Sequence, residues 1–405
     1  MAISCKQAAY TIELLFFALI FTVSCKPENQ STKVPQSGQL ASPLVVSSLP
    51  VSPLPTPPPI STVPPIPTIP PAIPSVVAEP LIRTRNGNAF KLVYMPSAEW
   101  FSQPGAQGQL CDLRVSPDGK RVALTMCAET LSKVYLVDLA SGNFILANIS
   151  DATDTRLSPY IKPTWFRGWF PDSKHILLLS DWLEIRDIET GESRRITSKD
   201  ETVTDAAVSP NGEKIVYTRI QGDMLKFIDV NGGLFASVLG PSPKPGNRPE
   251  NLTWSPNGKW VAYTWDQGIV GYAGPLWIVD VDSNTSRQLS PPGVYDLGVT
   301  WAPDSTNILV SRRENAEDAA ADFDPAKWIS DLWIVTPDNN VWSQITHLQG
   351  KSAWGSVWVP DGSAVVFMSG LSDKPNAWMI KRDGTDLQQL TFDSRMMPAA
   401  LGIAP

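Results

Sequence analysis

Between about residues 107 and 393 the chain alternates apolar and polar positions in short runs, each ended by Pro, Asn, Asp or Gly. Alternation at period two over about four to eight residues predicts half-buried β-strands, and the punctuation predicts tight turns. TWSPNGKWVAYTW (253–265) is a compact case. Trp254 ends one predicted strand, Pro256, Asn257 and Gly258 turn the chain, and Trp260 to Trp265 return as a second.

The pattern repeats. It recurs as VSPDGKRVAL (115–124), FPDSKHILLL (170–179), VSPNGEKIVY (208–217), WSPNGKWVAY (254–263), WAPDSTNILV (301–310) and WVPDGSAVVF (358–367). A second signature follows each turn: VYLVDLASGN (134–143), LEIRDIETGE (183–192), LKFIDVNGG (225–233), LWIVDVDSNT (276–285), LWIVTPDNN (332–340) and AWMIKRDGT (377–385). Further short strands close several units, as RRIT (194–197), RQLS (287–290), SQIT (343–346) and QQLT (388–391). Each unit thus supplies about four short antiparallel strands, and a repeat of roughly 40–50 residues with that content is the mark of a β-propeller blade. One blade cannot bury both faces of its sheet, so neighbours must stack around an axis. The prediction is an all-β fold, a six-bladed β-propeller of four-stranded antiparallel blades over 81–405. The aromatic residue before each turn (Trp169, Trp254, Trp301, Trp358) is expected to pack between blades.

The turn block, the strand L-W/Y-I/V-V-D and the trailing Q-L-T together resemble the repeat of TolB-type six-bladed propellers. The resemblance covers about residues 107–393 and implies the fold far more than any function. It departs from that family before the first blade: TolB-type proteins carry an α/β domain there, and residues 81–106 are too few for one. A ring must also close. The strand AFKLVYM (89–95) has no partner in sequence order and is expected to complete the last blade beside 387–392, joining the chain ends.

The N-terminal region carries different instructions. Lys6 precedes an apolar run, LLFFALIFTV (14–23), that is short for a membrane span and suited to a secretory signal. It leads into Thr22-Val23-Ser24-Cys25, which resembles a lipoprotein cleavage box, with residues 1–24 as the signal and Cys25 as the lipidated residue. Plain secretion and an uncleaved anchor are the alternatives, and all three place the folded part outside the cytoplasm, in the periplasm or on the outer cell surface. Residues 25–80 include PLPTPPPISTVPPIPTIPPAIP (53–74) and read as a disordered, polyproline-like tether. At ~3.1 Å per residue such a stretch reaches on the order of 150 Å when extended.

Composition narrows the chemistry. Of 405 residues only 18% are charged, the formal charge is -7, and there are 38 Pro and 15 Trp. The balance gives no reason to expect a nucleic-acid partner. Only two histidines exist, His175 and His347, neither with a second ligand at metal spacing. No G-x-S-x-G elbow is present. Asp280, Asp282 and Asn284 begin like a calcium loop, but Thr285 stands where that loop needs Gly and Pro291 where it needs Glu. No metal, cofactor or catalytic residue is therefore assigned.

Three features remain as candidates. Cys111 and Cys127 are equidistant from Gly119 and should face each other across the first hairpin, as a disulfide in an oxidising compartment or as two buried thiols. The acidic insertion ENAEDAAADFDPAKW (314–328), with Glu317, Asp318, Asp322, Phe323, Asp324 and Trp328, is either a solvated excursion or a partner-binding loop. Asp112, Phe166, Asp205 and Asn251, with Gly298 and Gly355 at the matching positions, are expected near the mouth of the central channel. The function these readings imply is that of a monomeric, lipid-anchored, non-catalytic scaffold for a protein partner or envelope ligand. A channel binder or enzyme of small molecules or glycans, such as a lyase or hydrolase, and a structural envelope spacer are the alternatives.

Overall fold

The computed structural model describes residues 77–78, 82–83, 89–96, 109–127, 132–148, 150–151, 160–161, 163–219, 224–240, 247–266, 274–291, 293–313, 329–392 and 396–404. All of them belong to one unit, Pro71–Pro405. The lipidation box at Cys25, the tether up to residue 76 and the 314–328 insertion lie outside the described residues.

Each repeat unit forms one antiparallel four-stranded sheet with its strands in chain order, giving the six repeat-built blades of an all-β propeller. Blade one consists of Gln109–Val115, Arg121–Cys127, Ser132–Asp138 and Phe144–Leu146. The first, inner strands of blades two to six are Trp165–Trp169, Val203–Val208, Arg248–Trp254, Tyr295–Trp301 and Ala353–Trp358.

Each sequence signature has a definite mechanical role. In the SPNG-type turn, Ser255 Oγ donates to Asn257 Oδ1 (2.7 Å) and accepts from Trp260 N (2.9 Å), and Gly258 N closes the turn on Ser255 O at 2.8 Å. Gly258 has φ 71°, which a side chain would strain. The Asp of the second signature caps the next turn: Asp138 Oδ1 accepts from Ser141 N at 2.8 Å, and Asp187 and Asp280 do the same for Thr190 and Ser283. These bonds hold all three carboxyls below the usual range. The final Thr or Ser of the trailing motif stands just past the fourth strand and accepts a backbone N–H near the start of the third strand. Thr197 does so from Leu183 (2.8 Å), Ser290 from Leu276 (3.0 Å), Thr346 from Leu332 (2.8 Å) and Thr391 from Ala377 (2.9 Å). Blade one uses Asn148 for Val134 in the same way. Blade three has Leu239 there, and its outer strand runs on to pair Met224 with Leu239 instead.

Blades are joined through the residue before each turn. Trp169, Trp254, Trp301 and Trp358 each donate the indole N–H to a carbonyl on the inner strand of the preceding blade, at Arg114, Ala207, Thr253 and Thr300, over 3.0–3.4 Å. Blades one and three carry valine, and the preceding sheet answers with glycine. A Cβ on Gly168 would lie 3.4 Å from Val208 Cγ2.

Closure differs from the expectation. Ala89–Pro96 does not extend blade six beside Gln388–Gln389. It pairs with the C-terminal strand Met396–Ala404, with Lys91 opposite Ala404 and Tyr94 opposite Leu401. Val77–Ala78 and Ile82–Arg83 add to its other edge, so both chain ends build a further four-stranded sheet that no repeat encodes. Period-two alternation explains its place. Phe90, Leu92 and Tyr94 pack on Val359, Val366 and Met368 of blade six, whereas Val93 and Ala404 pack on Leu110 and Leu113 of blade one. A strand apolar on both faces needs two neighbours, and inserting between the first and last blades supplies both. The edge of blade six would have covered only one.

The fit at this joint is close: a Cβ on Gly402 would come within 2.7 Å of both Leu113 Cδ2 and Val115 Cγ2. Gly402→Val should therefore cost about 1–3 kcal/mol through overpacking and lower the melting temperature; an unchanged melting temperature would refute a packed closure. Thr346 also donates to the buried Asp331 Oδ1 at 2.6 Å. Thr346→Val, which leaves the Leu332 N–H without its acceptor, should destabilise by about 1–3 kcal/mol in chemical denaturation.

Candidate functional site

The inner strands of all six blades, with Leu401 and Ile403 of the closing sheet, surround a cavity of about 810 Å³. A regular strand pairs its backbone along its whole length. Here each inner strand breaks register against its neighbour within the channel-facing stretch: at Leu110/Asp112, Phe166/Gly168, Val203/Asp205, Glu250/Thr253, Leu297/Thr300 and Trp354/Val357. Bulges of this kind re-aim side chains and raise the local twist, as the narrow centre of a ring demands. In the last three blades the bulge is made by a residue in the left-handed region, Asn251 (φ 57°), Gly298 (φ 59°) and Gly355 (φ 58°). Asn adopts this conformation more readily than most residues with a side chain, which explains why it alternates with Gly at one structural position.

All six residues expected near the channel, Asp112, Phe166, Asp205, Asn251, Gly298 and Gly355, line this cavity. Two arginines that the repeat comparison did not single out stand among them, Arg114 and Arg167. Arg114 lies two residues beyond Asp112 on the same strand, so strict alternation puts it on the same face. Arg167 was hidden, because the bulge beside it breaks the alternation in blade two.

The four charged groups form two pairs. Asp112 accepts from Arg114 Nε (3.0 Å) and from the Leu113 N–H (3.0 Å). Asp205 accepts from Ala206 N (2.8 Å) and, across the blade boundary, from Leu252 N (2.9 Å), and it lies 3.2 Å from Arg167 Nη1. Behind them Glu250 is buried and bonded to Arg248. Burial, with the charge of Asp205 adding to it, pushes the Glu250 carboxyl up to about 7 against the opposing pull of Arg248.

Cys111 and Cys127 are bonded to each other, with Cα atoms 5.9 Å apart. They are not opposite one another, as their equal distances from Gly119 suggested. The register pairs Cys127 with Gln109, and Cys111 sits within the bulge, so the bridge spans the hairpin diagonally beside the cavity wall. The two other groups weighed as chemistry are structural. His175 Nδ1 bonds Asp172 at 2.6 Å, and Asp280 Oδ1 caps its own turn through Asp282 N and Ser283 N. Among the described residues no three His, Cys, Asp or Glu side chains gather as a metal site requires.

No known family profile and no curated protein matches the sequence. Solved structures do resemble it at low identity. TolB from Acinetobacter baumannii shares 14% identity at a TM-score of 0.45, with 82% of each chain covered. Oligogalacturonate lyase from Vibrio parahaemolyticus shares 13% at 0.49, covering 80% of this chain and 90% of the lyase. Hydrazine synthase from Kuenenia stuttgartiensis shares 15% at 0.46, covering 67% and 76%. Likenesses this distant assign no activity to the chain.

A raised carboxyl pKa means that the folded state holds the proton more tightly than the unfolded chain does. Ionising Glu250 therefore costs stability as pH rises from the ordinary carboxylate range through about 7. The wild type should lose part of its stability between pH 5 and pH 8, and Glu250→Gln should lack that part. Parallel melting curves for the two proteins across this range would contradict the assignment.

Proposed function

We propose that the protein is a non-catalytic, extracytoplasmic binding scaffold of the cell envelope, a monomer anchored by lipid at Cys25 and lifted from the membrane by the 25–80 tether. The observation that carries this reading is the state of the cavity's acids. Both oxygens of Asp205 are taken by backbone N–H groups, with Arg167 beside one of them, and Asp112 is held by Arg114 and Leu113. Carboxylates committed in this way orient and neutralise; a general base needs an oxygen free to reach a substrate proton. Indole and hydroxyl bonds between blades give the channel mouth a fixed shape, which suits recognition by a preformed surface. The 314–328 loop, between two strands of blade five, is the proposed contact for a protein partner. No helix among the described residues is long and apolar enough to cross a membrane.

The size of the cavity favours a second reading, in which a small molecule or glycan occupies the channel. Two measurements on the full-length protein separate these cases. Palmitate labelling in a bacterial host should mark the wild type and vanish in Cys25→Ala. Full-length protein on a matrix should saturably retain an envelope protein whose purified form binds in return, and Asp322→Lys with Phe323→Ala should weaken that binding at least tenfold. Turnover of a wall glycan or peptide by the purified protein would overturn the scaffold reading.

A further inference from the structure

The cavity wall is electrostatically lopsided. Among the described residues, blades one to three contribute Asp112, Arg114, Arg167 and Asp205, whereas the wall from blades five and six and the closing sheet carries no charged side chain. Within each charged pair the arginine is the more exposed partner. The side chains of Arg114 and Asp112 are 66% and 30% exposed, and those of Arg167 and Asp205 are 25% and 8% exposed. The carboxylates are the more enclosed partners, and Arg114 is the most exposed of the four groups.

Arg114 has donors to spare, whereas the terminal amino groups of Arg167 are engaged, Nη2 donating to Thr204 O at 2.9 Å and Nη1 lying 3.2 Å from Asp205. Both bonds from Arg114 to Asp112 use Nε, at 3.0 and 3.2 Å, so its two terminal amino groups have no bond among the described residues. Arg167 Nε is buried without an acceptor, and so is the hydroxyl of Ser356 in the blade-six wall. The rest of the wall offers apolar or bare positions: Val299, Val357, Leu401, Ile403 and two glycines. A Cβ on Gly298 would meet nothing within 4 Å, so the space there is open.

We propose that the channel binds an oxyanion, a carboxylate or a phosphate, carried on a small apolar body. The planar fork of Arg114 matches an oxyanion edge, and its Asp112 partner fixes the fork in place. Arg167 supplies the second cation of the same arc. The apolar body lies along Gly298, Gly355, Leu401 and Ile403, where main chain and aliphatic side chains leave room for it. This assignment is independent of the partner loop at 314–328 and stands or falls without it.

Saturation-transfer NMR on the full-length protein tests the proposal with three probes: benzoate, phenyl phosphate, and benzamide as an uncharged isostere. At least one anion should bind saturably and at least tenfold more tightly than benzamide, and the stronger of the two identifies the oxyanion. Arg114→Gln should weaken that anion at least tenfold at an unchanged melting temperature, and Arg114→Lys should restore part of the loss. Gly298→Asn keeps both arginines and uses the residue that blade four already holds at φ 57°. By narrowing the channel it should weaken the anion several-fold. Equal binding of all three probes, or wild-type affinity in Arg114→Gln, would overturn the proposal. If Arg114→Gln does not fold, wild-type affinity in Gly298→Asn would overturn it.

Discussion

Each blade is apolar on both faces, and that single constraint generates the ring. The strand Arg121–Cys127 shows it plainly: Val122, Leu124 and Met126 pack into one cluster, and Ala123 packs with blade two in another. A sheet of this kind has no side to offer water, so it can exist only between two others. Six repeats satisfy the rule internally and leave two uncovered faces, one at each end of the array. The chain ends meet that need with Ala89–Pro96 and Met396–Ala404, whose own alternation is two-faced in the same way. Closure is thus the same hydrophobic requirement applied to the last gap.

Stacking alone would let blades slide, and directional bonds prevent it. Four indole N–H groups reach carbonyls one blade away, so the inner strands are fixed relative to one another near the channel. Turns add links of their own, as where Asp118 N donates to Ser173 Oγ and Asn257 N to Ser305 Oγ. Both serines replace the turn glycine and hold φ near 60°, at 57° and 62°. That strain is offset by a bond that glycine could not make.

Much of this was legible in the sequence because repetition multiplies a weak signal. One SPNG hairpin specifies a turn, and six in tandem specify a blade-building unit. The residue before each turn was legible as an inter-blade contact for the same reason. Three things were not. The partner of AFKLVYM could not be read, because Met396–Ala404 carries no repeat signature and its pairing is a long-range event. The diagonal placement of Cys111 and the channel position of Arg167 both depend on bulges, and a bulge inserts a residue without marking it in the pattern. The channel residues Asp112, Asp205 and Asn251 were found by position alone. Nothing in the sequence told that the first two would be paired with arginines, since Arg167 and Asp205 come from different blades.

Repetition also tells where individuality must lie. The turns, caps and indole anchors are shared between units because every blade has the same mechanical task. The bulge positions obey no such demand on side-chain type; they need only a backbone that bends, and so they are free to differ. Blades one to three place Cys111, Arg167 and Asp205 there or next to it, and blades four to six place Asn251, Gly298 and Gly355. A ring of equivalent units thereby acquires a charged arc and a bare arc at its centre. Leu401 and Ile403 complete the bare arc, so the strand that closes the ring also forms part of the wall a ligand would touch. Ring closure and the shape of the cavity are consequently linked, because the closing strand Met396–Ala404 also supplies Leu401 and Ile403 to the wall.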